Sequence, residues 1–239
     1  MQFSRLAMLS TLLGWLNFLP GPLHAAATQP AFTAVYEVSS KGMNLATMTR
    51  KLTLTAGGHY VFTSTLEATG VAALIKQVNI RERSEGLLRD HGYQPEHYEI
   101  TRDAGNKHRR SNVQFDWQSK LATGTTNARS WETPLTGAVL DKLVYQLALM
   151  ADLRRAHTDL VYEVVDDGKL QRYRLELLGT ESLTFGSTVL VTKKVQYLRG
   201  DTRRTTLWCA PDFDFQPVQI EYREKDGGIT LARLRLTPH

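Results

Sequence analysis

From residue 32 onward the chain alternates apolar and polar positions with a period of two. Over residues 32–39, Phe32, Ala34, Tyr36 and Val38 share one face; over 45–56, Leu52 and Leu54 do; over 59–68, Tyr60, Phe62 and Leu66 do. This alternation predicts strands that are dry on one face and wet on the other. Gly42 and Gly57-Gly58 between them predict the turns of an antiparallel meander. The pattern returns over 78–88, 93–102, 107–117, 120–127, 159–165, 169–178, 187–198, 203–210, 217–224 and 229–236. Asp166-Asp167-Gly168, Gly200-Asp201 and Asp226-Gly227-Gly228 supply turn chemistry between these segments. About ten to twelve strands joined by short turns predict an all-β sandwich or barrel.

One stretch departs from that period. Residues 136–155 read TGAVLDKLVYQLALMADLRR, with Val139, Leu140, Leu143, Val144, Leu147, Met150 and Ala151 at the spacing of an amphipathic helix. Thr136 is the predicted N-cap, Asp141 lies in the predicted first turn, and Arg154 and Arg155 close the end that favours cations. A lone helix in a β-rich chain has to bury its apolar stripe against the sheet. The expected architecture is a large curved antiparallel sheet, half-barrel or barrel, with this helix on its concave face. Residues 70–76, GVAALIK, predict a helical turn or a loop capping one end of the sheet.

The N-terminus changes the picture of where the chain works. Arg5 precedes an apolar run at residues 6–19, Pro20, Gly21 and Pro22 break it, and Ala25-Ala26-Ala27 offers small residues for cleavage. This layout predicts a secretory signal peptide over residues 1–27, its core too short for a comfortable membrane span. Residues 28–239 then form one β-rich domain, since no flexible linker or repeat divides them. The compartment expected is the periplasm. The single cysteine, Cys209, rules out an internal disulfide and lies far from the cleavage site. The formal charge of +5 is mild. It suits contact with an anionic membrane surface but lacks the dense basic face of a nucleic-acid binder.

Candidate chemistry is sparse. There is no Walker A loop, no glycine-rich dinucleotide fingerprint and no G-x-S-x-G elbow, so no cofactor is expected. Cys209 between Trp208 and Ala210-Pro211 reads as a small buried residue. His91 and His97 with Asp90 are the best available acid–base set, yet their spacing is neither that of a strand pair nor that of a helix pair. The basic clusters KHRR at 107–110 and RGDTRR at 199–204 read as solvated turn ends, with anionic lipid head groups as the sharper alternative.

Several short motifs then fall in a familiar order: Tyr36, the apolar 70–75 piece, Gly86-Leu87-Leu88 leading to Pro95 and Tyr98, and Phe115-Asp116-Trp117. The 137–141 helix start, Trp208-Cys209-Ala210-Pro211 and Pro217-Val218 complete the series. In that order they resemble the exported bacterial family known as domain of unknown function 3108, over nearly all of the mature chain. The resemblance implies a β-rich envelope protein and carries no catalytic residues. At the level of fold alone, the expected meander with its helix is similar to the lipoprotein-carrier half-barrels of the Gram-negative periplasm.

The reading that follows is a non-enzymatic protein binding an apolar or amphiphilic envelope molecule, or a partner protein, in cell-envelope maintenance. Its expected ligand-facing residues are Leu140, Leu143, Val144, Leu147 and Trp208. The alternatives are an envelope hydrolase built from His91, His97 and Asp90, and a filled barrel serving as an interaction scaffold. The sequence leaves the oligomeric state open.

Overall fold

A computed structural model describes residues 30–70, 78–200 and 202–236. The signal-peptide expectation and almost all of the 70–76 segment lie outside the described residues. The alternating segments are strands. In chain order these are β1 (Phe32–Ser40), β2 (Met43–Leu54), β3 (His59–Ala68), β4 (Val78–Arg89), β5 (Gly92–Ala104), β6 (Lys107–Asp116) and β7 (Leu121–Thr126). Then come β8 (Arg129–Pro134), β9 (Val139–Asp141), the helix α1 (Tyr145–Arg154), β10 (Leu160–Asp166), β11 (Lys169–Phe185) and β12 (Thr188–Arg199). β13 (Arg203–Ala210), a 3-10 turn (Pro211–Phe213), β14 (Gln216–Arg223) and β15 (Ile229–Leu234) complete the described chain.

All fifteen strands belong to one sheet, in the order β8-β7-β6-β5-β4-β3-β2-β1-β15-β14-β13-β12-β11-β10-β9. Every neighbouring pair is antiparallel except β9 with β10. The sheet is therefore two meanders spliced along β1 and β15, where Tyr36 faces Leu234 and Val38 faces Ala232. The side chains of Val38, Ala232, Ile220, Leu207 and Val195 follow one another in register across five strands, and all are buried.

The far ends of the sheet meet through side chains and not through a ladder. Trp131 of β8 lies against Gly168 in the β10–β11 turn, Thr133 Oγ1 donates to the Gly168 carbonyl at 2.9 Å, and Arg109 of β6 pairs with Asp167. Gly168 is obligatory on two counts. Its φ is +73°, and a Cβ there would stand 2.5 Å from Trp131 Cγ. Gly124 on β7 leaves room for the other side of the same ring, since its Cβ would stand 2.5 Å from Trp131 Cζ2.

The helix is shorter than its apolar spacing predicts. Val139–Asp141 pairs with Glu163–Val165 as a parallel strand, so the first third of the expected helix belongs to the sheet. Val139, Leu140 and Asp141 are all buried, which is how a fully covered strand reads and why periodicity alone could not separate it from a helix. Thr136 caps nothing. Asp141 does so instead, its Oδ1 accepting the backbone N–H groups of Leu143 and Val144, both at 2.8 Å, at the turn that leads into α1. The helix ends in Ala156 at φ 58°, where the N–H groups of Ala156 and His157 bond back to the carbonyls of Leu153 and Asp152.

The helix touches strands from widely separated places in the sheet. Gln146 bonds Arg50 of β2, Tyr145 packs edge-on to Tyr173 of β11 at 5.3 Å, and Asp152 accepts from Tyr162 of β10. Strands so far apart in order can share one helix only because the sheet curls.

Candidate functional site

One recess lies where the helix, the β4–β5 turn and β10 come together. β4 and β5 meet at the tight Asp90-His91 turn, and Leu88 is held by its N–H to the Gly58 carbonyl at 2.7 Å. This brings Arg89, Asp90, His91 and Tyr93 to one rim. From the other side α1 presents Ala148, Ala151, Asp152 and Arg155, the spacing of adjacent turns on one helical face. Leu140 of β9 and Val161 and Tyr162 of β10 complete the walls. Because the helical face carries alanines, it leaves a cleft of about 370 Å³ where larger residues would fill it. That is within the range of small-molecule sites.

The polar groups of this cleft are unevenly satisfied. Asp152 is engaged: Tyr162 Oη donates to it at 2.9 Å, and His157 Nδ1 lies 3.1 Å from its other oxygen. Burial, with Asp152 beside it, pushes the Tyr162 phenol well above the ordinary range. Tyr93 is different. It packs edge-on against Tyr60 at 5.2 Å, is 7% exposed, and its hydroxyl is buried with no hydrogen-bond partner among the described residues. Burial pushes its phenol up to about 12, while the nearby cations Arg154 and Arg155 pull it back. An unpaired buried hydroxyl costs roughly 1–3 kcal/mol unless something bonds it.

The sequence-predicted residues separate in space. Leu140 lines the cleft, whereas Leu143, Val144 and Leu147 are at most 1% exposed within the core. Trp208 stands on the opposite face of β13 from Leu207, under Lys194 Nζ at 5.0 Å from the ring centre. It belongs to a second, shallow groove of about 540 Å³ on that face, lined also by Arg204, Arg223, Lys225, Glu221 and Glu224. His91 and Asp90 stand on the rim of the first cleft. His97 pairs with Glu85 at 3.7 Å, in the register opposite to Ser84 and Tyr98, so the three do not converge. Among the described residues no cluster of three His, Cys, Asp or Glu side chains could hold a metal ion. Cys209 is fully buried, and burial pushes its thiol up to about 12.

Two buried polar groups stand in the core, one around Asp141, expected only as a charge at the helix start, and one around Arg50, which no sequence motif marked. Tyr60 Oη lies 3.0 Å from Ser84 Oγ, which donates to Asp141 Oδ2 at 2.5 Å. Asp141 is thus a fully buried carboxyl with three donors, and burial outweighs them to push it up to about 6. Arg50, 4% exposed, donates to Gln146 Oε1 at 2.7 Å, lies 5.7 Å from the Tyr36 ring centre, and leaves its Nε without a partner. Its place in the inward series Ala46, Met48, Arg50, Leu52 was the available signal. Of the cleft residues, Ala151 stood in the predicted apolar stripe, whereas Tyr93, Ala148 and Arg155 were missed as lining. The two alanines on one helical face, Ala148 and Ala151, with Arg155 one turn on, were the signal for them.

No curated protein matches the sequence. Among solved structures the chain is similar to a crystal structure described as a beta-barrel-like protein of domain of unknown function DUF1849 from Brucella abortus. That likeness has a TM-score of 0.55 at 8% identity and covers 87% of this chain and 96% of the other. Such identity speaks for the fold alone. The model of the family described as protein of unknown function (DUF3108) matches residues 35–233, nearly the whole of the sheet from β1 to β15, and the chain belongs to that family.

Proposed function

We propose that this is an exported, envelope-side protein that binds an apolar or amphiphilic molecule in the cleft between α1, the β4–β5 turn and β10. The observation that carries the reading is the cleft itself: about 370 Å³, lined by Leu88, Leu140, Ala148, Ala151 and Val161 together with a few charged groups. Apolar walls with a few convergent polar groups are the usual make-up of a small-molecule site. The leader-like N-terminus supports the compartment. Cell-envelope maintenance is the role in keeping with both.

The test is native mass spectrometry of the protein purified from a periplasmic extract, followed by organic extraction. An added mass that extracts as an amphiphile is expected, together with its loss in Ala151→Trp, which fills the cleft from a half-buried helical position. An adduct that survives this substitution would place the ligand elsewhere. A clean apo mass, with no uptake of a fluorescent lipophilic probe, would refute binding.

A further inference from the structure

We propose, building on the cleft reading above, that the ligand is a single-chain amphiphile whose anionic oxygen-bearing head is received by Tyr93 and Arg155. Size limits the tail. About 370 Å³ lies near the bottom of the range for small-molecule sites, with room for one chain and not for a two-chain lipid.

Charge selects the head. Two carboxylates also border the cleft, but they are not equivalent to the cations. Asp152 already accepts from Tyr162 and lies against His157, and Asp90 sits on the exposed tip of the β4–β5 turn. Arg155 makes no ion pair among the described residues, and Arg89 has only a long bond, 3.4 Å, to Gln94. Arg154 and Arg155 are near enough to the Tyr93 phenol to work against the effect of its burial. Arg154 is held by Asp214, which leaves Arg155 as the cation able to turn to a ligand. Tyr93 and Arg155 both line the cleft, and a phenolic O–H without a partner and an exposed guanidinium are two donors suited to a carboxylate or phosphate oxygen. An ester carbonyl accepts from them only as a neutral group, without the charge that strengthens the bond, and an alkyl end does not accept at all.

Carboxylate and phosphate heads share this chemistry, and the test separates them. Binding of dodecanoate, dodecyl phosphate and methyl dodecanoate is measured by displacement of a neutral lipophilic fluorophore. The wild type is compared with Arg155→Gln, Tyr93→Phe and Ala151→Trp. Both anionic chains are expected to bind at least about tenfold more tightly than the ester. Arg155→Gln and Tyr93→Phe are each expected to erase most of that difference. The tighter of the two anions then names the head.

Equal binding of all three chains, abolished by Ala151→Trp, would overturn the head assignment and leave the cleft reading standing. No binding of any chain would overturn both. Anion preference that survives Arg155→Gln and Tyr93→Phe would overturn the assignment to these two residues. Tyr93→Phe keeps the ring against Tyr60, and Arg155 is exposed at the end of the helix, so neither substitution disturbs the core.

Discussion

Asp141 gives the fold a pH dependence that can be calculated in sign and in rough size. Its carboxyl is pushed up to about 6 in the native state from an ordinary 3.8, because burial outweighs the bonds from Ser84, Val144 and Leu143. Between those two values the native protein holds one more proton than the unfolded chain, so stability falls as pH rises. The group's contribution is complete below about pH 4 and is gone above about pH 6, a total of roughly 3 kcal/mol. Asp141→Asn keeps an oxygen to accept the N–H groups of Leu143 and Val144, and it cannot ionise. Its amide can donate to Ser84 Oγ, whose own hydrogen can turn to Tyr60.

Urea unfolding of both proteins from pH 4 to pH 8 is therefore expected to show near-equal stability at the acid end. With rising pH the variant should gain up to about 3 kcal/mol over the wild type. Subtracting the two curves removes groups that work in the opposite direction, such as Asp116, lowered by its bonds from Ser119, and Glu181, lowered by Lys194. A variant less stable than wild type at pH 8 would show that the ionised carboxylate is itself the better cap. A difference curve without slope would show that Asp141 does not titrate in this range.

Three further outcomes are expected. Ala156→Gly relieves the left-handed φ of 58° at the end of the helix and should add about 1 kcal/mol, seen as a Tm rise of roughly 2–4 °C. Gly168→Ala forces a Cβ into Trp131 at a φ of +73° and should cost at least about 2 kcal/mol in urea unfolding; a neutral result would mean that the two ends of the sheet do not depend on that contact. Arg50→Met combined with Gln146→Leu replaces a buried guanidinium and its amide partner by apolar groups, and should leave stability unchanged or raise it by about 1–4 kcal/mol. A large loss in that double variant would reveal a partner for Arg50 beyond Gln146 and the Tyr36 ring.

The strands were legible because period-two patterning leaves little freedom: Tyr36, Leu52 and Phe62 could not face water without turning their whole strands over. β9 was not, since three consecutive buried residues carry no alternation, and Val139 and Leu140 fit a helix as well as a covered strand. β11 runs on past Gly179 to Phe185 because a bulge between Leu177 and Gly179 absorbs the interruption that glycine signalled. The cleft was least legible. Large apolar residues such as Leu143 and Leu147 draw attention, yet they fill the core. The binding surface is made where side chains are small, at Ala148 and Ala151, and composition says nothing of empty space.

The splice of β1 with β15 has a consequence for synthesis. Residues 32–134 can build their ladder hairpin by hairpin as they emerge, but β1 then presents a bare edge until Ile229–Leu234 has been made. Tyr36 and Val38 lie on that strand, so a chain without its last strand carries an apolar strand with one unpaired backbone edge. A β1 already engaged by another copy would exchange halves between molecules.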